Sequence, residues 1–203
     1  AGEYEVSGMS QTAKSIKKRS ELVDQVIAML HTFDFQEATV RKICEVTHIS
    51  VGTFYHYFHE KNDLIAEILG RIDIYLAKQV MPRLTHEDEA VNLVEFGSGF
   101  AQYTNGIGSV TGSVISRTEF PLPSTPDTIR AEHERLLYTL PAAILRRGRE
   151  KGQFYAELDV EEAVDQLIIA LRGHAMEWSR RGRVYNIEEK ILSFMRLYCR
   201  MLK

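Results

Sequence analysis

The chain has 203 residues, 44% of them hydrophobic and 26% charged, so it can bury the core of one large or two small domains. Lys and Arg number 25 against 28 Asp and Glu, so any contact with nucleic acid must come from a local cluster of basic residues. No run of 18 apolar residues is present, and residues 1–20 contain no apolar stretch. The sequence therefore argues against a transmembrane helix and a signal peptide.

The two cysteines, Cys44 and Cys199, lie far apart in segments with a helical pattern. This placement favours burial as small hydrophobic residues over a disulfide. Such cysteine usage fits a reducing cytoplasm, which is the expected location of the protein.

The N-terminal part contains a short basic cluster. Residues 1–8 show no periodicity and are interpreted as a disordered arm or a remnant of cloning, whereas 15–33 have the apolar repeat of a helix. Four cations, Lys14, Lys17, Lys18 and Arg19, occur at the start of that helix without an intervening acid. The cluster suits contact with DNA phosphates, although a solvated helix start would look the same.

Residues 39–61 predict two short helices, 38–46 and 50–57, joined by a tight turn. Thr39 and Ser50 lie at their starts and are suitable N-caps, because a hydroxyl oxygen can accept a hydrogen bond from an unpaired backbone N–H of the first turn. This spacing is typical of a helix-turn-helix.

The second of these helices carries side chains that suit DNA. Phe54 and Phe58 recur four residues apart and predict its buried face. The other positions are small, hydroxyl-bearing or aromatic, which suits base edges and phosphates in a major groove. They are Val51, Thr53, Tyr55, His56 and Tyr57.

The segment is similar to the helix-turn-helix signature of the tetracycline-repressor (TetR) family. The matching positions are Ile49, Ser50, Gly52, Thr53, Phe54, Tyr55, Phe58 and Lys61. Asp34 and His48 stand where the family usually has glycine. Since Asp and His tolerate a positive φ better than most residues, we expect both turns to form at some cost in stability.

The resemblance implies a role for each matching position. Arg41 would contact a purine edge through a forked pair of hydrogen bonds. Tyr55 and Tyr57 would reach phosphates or a thymine methyl, and Lys61 would hold the DNA backbone. We expect packing to require neither Tyr55 nor Lys61. The predicted DNA-binding residues are Lys17, Lys18, Thr39, Arg41, Ser50, Val51, Gly52, Thr53, Tyr55, His56, Tyr57 and Lys61.

The rest of the chain also has a helical period, and no stretch alternates long enough to form a sheet. The predicted fold is all-α with about nine helices: a three-helix DNA-binding head, residues 9–60, and a helical ligand-binding and dimerisation body, residues 61–203. Helices of the body are predicted at 61–81, 87–105, 108–117, 127–151, 159–182 and 187–202.

Two irregular segments of the body suggest a ligand pocket. Five glycines between Gly97 and Gly112 leave room for a ligand or hinge, although close helix packing with a turn explains them equally well. Prolines at 121–126 predict a loop over the pocket, and Pro141 predicts a helix kink. Candidate walls, each of which could instead be plain core, favour a hydrophobic or aromatic effector: Phe96, Phe100, Tyr103, Val114, Leu137, Tyr138, Ile144, His174 and Trp178.

The last two predicted helices each carry a broad apolar stripe. Alone, these stripes would fit an intramolecular hairpin as well as an interface between subunits. The TetR resemblance implies a four-helix interface in a homodimer. The predicted interface residues are Val164, Leu167, Leu171, Ile191, Phe194, Met195 and Tyr198.

The sequence offers no catalytic constellation. It contains no Gly-x-Ser-x-Gly, phosphate-binding loop, Cys-x-x-Cys or His-Glu-x-x-His motif, and His174 with Glu177 is an unsupported pair. We therefore predict no catalytic residues, metal or cofactor. The expected function is a transcriptional repressor released from double-stranded operator DNA by a small-molecule effector. The alternative is a regulator of the same fold whose body binds a protein partner or has no effector.

Overall fold

The computed structural model describes residues 3–30, 35, 37–61, 63–108, 110 and 126–203, with only the backbone for 3–12, 66 and 126–129. These residues form helices and no strand, which confirms the all-α prediction. The helices are α1 (Glu3–Met29), α2 (Val40–Thr47), α3 (Val51–Tyr57), α4 (Asp63–Gly70), α5 (Ile72–Tyr75), α6 (Glu89–Gly106), α7 (Pro126–His133), α8 (Leu136–Glu150), α9 (Val160–Arg180) and α10 (Ile187–Met201).

The chain divides into two compact units, residues 1–69 and 70–203. Helix α4 belongs to the first unit, where Arg19 of α1 donates a 2.7 Å hydrogen bond to Glu67 of α4. The division therefore falls after α4, later in the chain than the boundary between residues 60 and 61 predicted from the sequence. The separate function assigned to each part stays a prediction.

Helix α1 begins at Glu3, so the prediction of a disordered arm at residues 1–8 was wrong for residues 3–8. An apolar repeat marks only the part of a helix that packs, and among the described side chains of α1, residues 13–29, the first buried one is Leu22. Backbone hydrogen bonds can extend a helix into a segment that does not pack, and such a segment shows no apolar periodicity.

The single helix predicted at 61–81 is instead four helical pieces. After α4 and α5 the chain forms a π-helical turn, Leu76–Val80, and a 3-10 turn, Met81–Arg83, which contains Pro82. Val80 in the π-helical turn lies where a Cβ on Gly99 would collide with it. Met195 and Trp178 block a Cβ on Gly97 and Gly108 in the same way, so these three glycines permit close packing. Gly112 lies outside the described residues.

The helix predicted at 127–151 is interrupted at residues 134–135, between α7 and α8, and α8 continues through Pro141. Asp73 of α5 explains the new helix start. Its carboxylate accepts hydrogen bonds from the backbone N–H of Leu137, at 2.9 Å, and from Nε of Arg135, at 2.8 Å. A distant carboxylate therefore caps the first turn of α8. The helix predicted at 108–117 lies largely outside the described residues.

Candidate DNA-binding and effector sites

Local hydrogen bonds define the helix-turn-helix formed by α2 and α3. Thr39 Oγ1 accepts a 3.1 Å bond from the N–H of Lys42, and Ser50 Oγ accepts a 3.0 Å bond from the N–H of Thr53. Both predicted N-caps are therefore confirmed. His48 ends α2 with φ 56° and ψ 35°, and its N–H bonds the carbonyl of Cys44, so histidine does adopt the left-handed turn as predicted. Asp34 lies outside the described residues.

Helix α3 has one buried and one exposed face. Phe54 and Phe58 are fully buried, with ring centroids 5.4 Å apart, and they anchor the helix in the first unit. Val51 is 43% exposed and Tyr55 is 51% exposed, one turn apart on the outer face. The other predicted contacts on the surface of this unit are exposed or half-buried: Lys17, Lys18, Thr39, Arg41, Ser50, Gly52, Thr53, His56 and Tyr57.

Lys61 has a structural role that the sequence pattern did not indicate. Its Nζ donates hydrogen bonds to the carbonyls of Phe35, at 2.9 Å, and Ala38, at 2.8 Å, and lies 4.9 Å from the centroid of the Phe35 ring. The expectation that packing does not require Lys61 was therefore wrong. Contact between Lys61 and DNA stays a prediction.

We predict that Lys61→Met destabilises the first unit by about 2 kcal/mol, because the part-buried carbonyls of Phe35 and Ala38 lose their charged hydrogen-bond donor. Amide hydrogens of residues 37–58 should then exchange at least about tenfold faster than in the wild type. Lys42→Met is the matched control, since the exposed Lys42 ammonium only approaches Glu45, at 3.7 Å. Equal exchange in the Lys61 variant and the wild type would contradict the structural role.

The predicted pocket residues are packed in the second unit. Phe96, Phe100 and Tyr103 are buried on α6, Leu137, Tyr138 and Ile144 on α8, and Trp178 on α9. His174 is half-buried; burial lowers its pKa, and the charge of Lys190 lowers it further. Val114 and residues 121–125 lie outside the described residues. Whether these side chains bind a ligand stays a prediction.

A surface cleft of about 150 Å³ lies between α8 and α9, at the end of α7. Of the predicted pocket residues, only Tyr138 lines it. Two polar pairs line it: His133 Nε2 lies 2.9 Å from Asp165 Oδ1, and Arg146 donates a hydrogen bond to Glu161. The remaining lining residues are Thr139, Ala142 and Val164.

Most residues predicted for a dimer interface are packed inside their own unit, which leaves little of their surface for a partner, and their part in an interface stays a prediction. These buried residues are Val164, Leu167, Leu171, Ile191, Met195 and Tyr198. Phe194 is half-buried, with its ring 5.1 Å from that of His174. Each of α9 and α10 also has an outward apolar pair that sequence analysis missed, and together we call them the outward stripe: Ile169 and Met176 on α9, Leu197 and Met201 on α10. The sequence did contain an indication of it, because the two apolar residues are seven positions apart in α9 and four positions apart in α10.

No three His, Cys, Asp or Glu side chains of the described residues lie close enough together to hold a metal ion. Glu177, which the sequence places near His174, instead accepts hydrogen bonds from Arg180 and Arg181. Within the described parts of the chain, no helix is both long and apolar enough to cross a membrane.

Residues 22–68, from the packed half of α1 to α4, match the sequence pattern described as "Bacterial regulatory proteins, tetR family". This N-terminal part of the chain therefore matches the DNA-binding domain of TetR-family regulators. The match includes both caps and the exposed face of α3, and it confirms the resemblance found in the sequence.

Solved TetR-like regulators share the fold of the whole chain. The regulator FadR from Bacillus subtilis in complex with stearoyl-CoA superposes with a TM-score of 0.65 at 17% identity, covering 88% of this chain and 96% of that chain. The Thermus thermophilus repressor FadR in complex with lauroyl-CoA gives 0.60 at 22% identity, covering 89% and 92%. The ketosteroid regulator KstR2 of Mycobacterium tuberculosis gives 0.53 at 18% identity, covering 92% and 95%. No curated protein sequence matches the chain.

Proposed function

We propose that this TetR-family protein is a homodimeric repressor that binds operator DNA through α2 and α3 and is released by a hydrophobic or aromatic effector bound in the second unit. The exposed outer face of α3, within the domain that matches the family, carries the proposal. Exposed cations on α1 and α2, Lys17, Lys18 and Arg41, support it, because they can neutralise phosphates beside the groove.

The effector proposal is supported by the chemistry of the second unit and its structural relatives. The candidate walls on α6, α8 and α9 are chiefly apolar and aromatic. Two of the FadR structures hold long-chain acyl-CoA, and KstR2 is a ketosteroid regulator, so this fold accommodates hydrophobic ligands. Release requires an effector that binds the DNA-bound and free conformations with different affinity.

The dimer proposal is supported by the outward stripe of Ile169, Met176, Leu197 and Met201 on two helices. Gly173 lies in α9 between Ile169 and Met176, where a Cβ would meet nothing within 4 Å. A glycine inside a helix costs about 1 kcal/mol relative to alanine, and no contact with the described residues explains it. Close approach of α9 from a second copy would explain both Gly173 and the stripe, and two heads would then meet two half-sites.

A substitution at Tyr55 tests the DNA-binding proposal. An operator duplex is first selected from a random library with the wild-type protein. Tyr55→Ala should weaken binding to it by roughly 10- to 100-fold without lowering the melting temperature, because the side chain is exposed in the free protein. The control is Tyr155→Ala, which removes an exposed tyrosine from the second unit. Wild-type affinity in the Tyr55 variant would count against the proposed surface.

Fluorescence of Trp178, the only tryptophan, tests the effector proposal. The indole is buried and its Nε1 donates a 2.7 Å hydrogen bond to the carbonyl of Tyr185. Among acyl-CoA, steroid and aromatic compounds, an effector should change the emission and weaken operator binding over one concentration range. Thermodynamic linkage then requires that operator DNA lower the affinity of the protein for the effector by the same factor. If compounds change only the fluorescence, a protein partner becomes the better hypothesis.

A further inference from the structure

The side chains of α3 limit which features of DNA it can recognise. From Ser50 to Tyr57 there is no Arg, Lys, Asn, Gln, Asp or Glu. Forked contacts to guanine come from Arg or Lys, those to adenine from Asn or Gln, and cytosine is recognised by Asp or Glu. His56 can offer one hydrogen bond at a time from each ring nitrogen, so α3 has no side chain for a forked contact to a base.

The hydroxyl groups at the start of α3 are already engaged. Ser50 Oγ accepts from the N–H of Thr53, and it lies 2.8 Å from Thr53 Oγ1, with which it forms a second hydrogen bond. Val51 and the ring of Tyr55, one turn apart, are the large apolar groups that α3 exposes to solvent, next to the exposed His56. Of the features in a major groove, the C5-methyl group of thymine is the one that apolar side chains contact.

Gly52, beside Val51, points to a close approach on this face. It has an ordinary helical conformation, and a Cβ there would meet only Ser50 Oγ, at 3.7 Å. Neither backbone strain nor packing against the described residues requires glycine here. A missing side chain lets a base edge come closer to α3.

The exposed lysine and arginine side chains of this region lie on α1 and α2 and not on α3. They are Lys14, Lys17 and Lys18 on α1, and Arg41 and Lys42 on α2. A recognition helix without such charges, together with cations on the other two helices, suits methyl groups in the groove and phosphates at its edges.

We infer that α3 recognises its half-site chiefly through thymine methyl groups. The inference rests on the proposed DNA-binding function and specifies the sequence class of the DNA: thymines at the positions facing Val51 and Tyr55.

Single thymine-to-deoxyuridine replacements in the selected duplex test this inference, because they delete one methyl group and keep every hydrogen-bonding group. Affinity should fall about threefold to tenfold at each contacted thymine and stay unchanged at thymines outside the half-site. Val51→Ala should abolish the effect of deoxyuridine at the position it contacts, as a double-mutant cycle would show. It should leave the salt dependence unchanged.

Lys17→Ala is the matched control. It should keep the deoxyuridine effect and flatten the salt dependence by about one unit of slope per lost phosphate contact. Gly52→Ala should leave or raise the melting temperature and lower affinity at least about tenfold, since only the complex needs the space.

Full affinity with deoxyuridine at every thymine of the half-site would overturn methyl recognition, while leaving the DNA-binding proposal intact. Unchanged operator affinity in Gly52→Ala would overturn the close approach at α3. Failure to select any duplex would instead count against the proposed function itself.

Discussion

Replacing Ile169 with glutamate should convert the proposed dimer into a folded monomer without measurable affinity for its operator. Ile169 is 62% exposed, so a glutamate there stays solvated in the free subunit and the fold is kept. In a two-fold interface the same substitution occurs twice, and it buries charge without a partner at a cost of several kcal/mol. Light scattering should give the monomer mass, and a gel-shift titration should show the loss of binding.

Ile191→Glu should have a different outcome. Ile191 is 0% exposed in α10, so the charge would enter the core of the second unit. Several kcal/mol is a large part of a typical folding free energy of about 5–15 kcal/mol, and we expect this variant to unfold. Loss of the folded-state emission of Trp178 would report unfolding.

Val184→Glu is the control for both variants. Val184 is 79% exposed in the turn between α9 and α10, so its replacement should leave a stable dimer. If Ile169→Glu also stayed a dimer, the proposed interface would be wrong. If Ile191→Glu stayed folded, the packing of α10 would have to be reconsidered.

The contrast between these residues shows how far the sequence could predict the fold. An apolar stripe indicates that a helix face is buried, and the stripes of α9 and α10 did predict helices. It does not indicate whether the burial is against the same chain or another. Leu167 and Ile191 therefore entered the predicted interface although they belong to the core.

The helix-turn-helix was predictable because its determinants are local. Thr39 and Ser50 bond N–H groups three residues ahead, and Phe54 and Phe58 are separated by one turn. The left-handed backbone conformation of His48 is also determined locally, because the tight turn between two helices allows the residue few conformations.

Contacts between distant residues were not predictable in this way. Lys61 bonds carbonyls that lie 26 and 23 residues earlier in the chain, and no periodicity marks that pairing. Asp73 caps α8 across 64 residues, which is why the sequence suggested one helix at 127–151 where the structure has two. Such contacts depend on packing between elements, which a linear pattern does not contain.

Glu89 is another contact of this kind. Its side chain is only 2% exposed at the start of α6. Arg147 donates two hydrogen bonds to its carboxylate, both at 2.9 Å, and Lys151 and Asn92 donate one each, at 2.8 and 3.0 Å. Burial alone would raise the pKa of Glu89, but these donors outweigh it and hold the pKa at about 2. The carboxylate therefore joins α6 to α8 in its ionised form.

We predict that Glu89→Gln lowers the free energy of unfolding at pH 7 by about 3 kcal/mol, because the depressed pKa stabilises the folded state by roughly that amount. The pKa of Glu89 is lower in the folded than in the unfolded chain. The ionised carboxylate therefore contributes its full stabilisation at a pH above the pKa of the unfolded chain, and this stabilisation is lost as the pH falls towards the pKa of the folded chain. The gap between wild type and variant should therefore shrink as pH falls from about 4.5 to about 2.

Denaturant unfolding followed by Trp178 fluorescence measures that gap, since Trp178 and Glu89 lie in the same unit. Glu161→Gln is the matched control: Glu161 also pairs with an arginine, Arg146, but on the surface, where such a pair contributes about 0–1 kcal/mol. A gap for Glu89→Gln no larger than the control's, or one that stayed constant down to pH 2, would contradict the role of the ionised carboxylate. A large gap at pH 7 that closes in acid is what four converging donors around one buried carboxylate require.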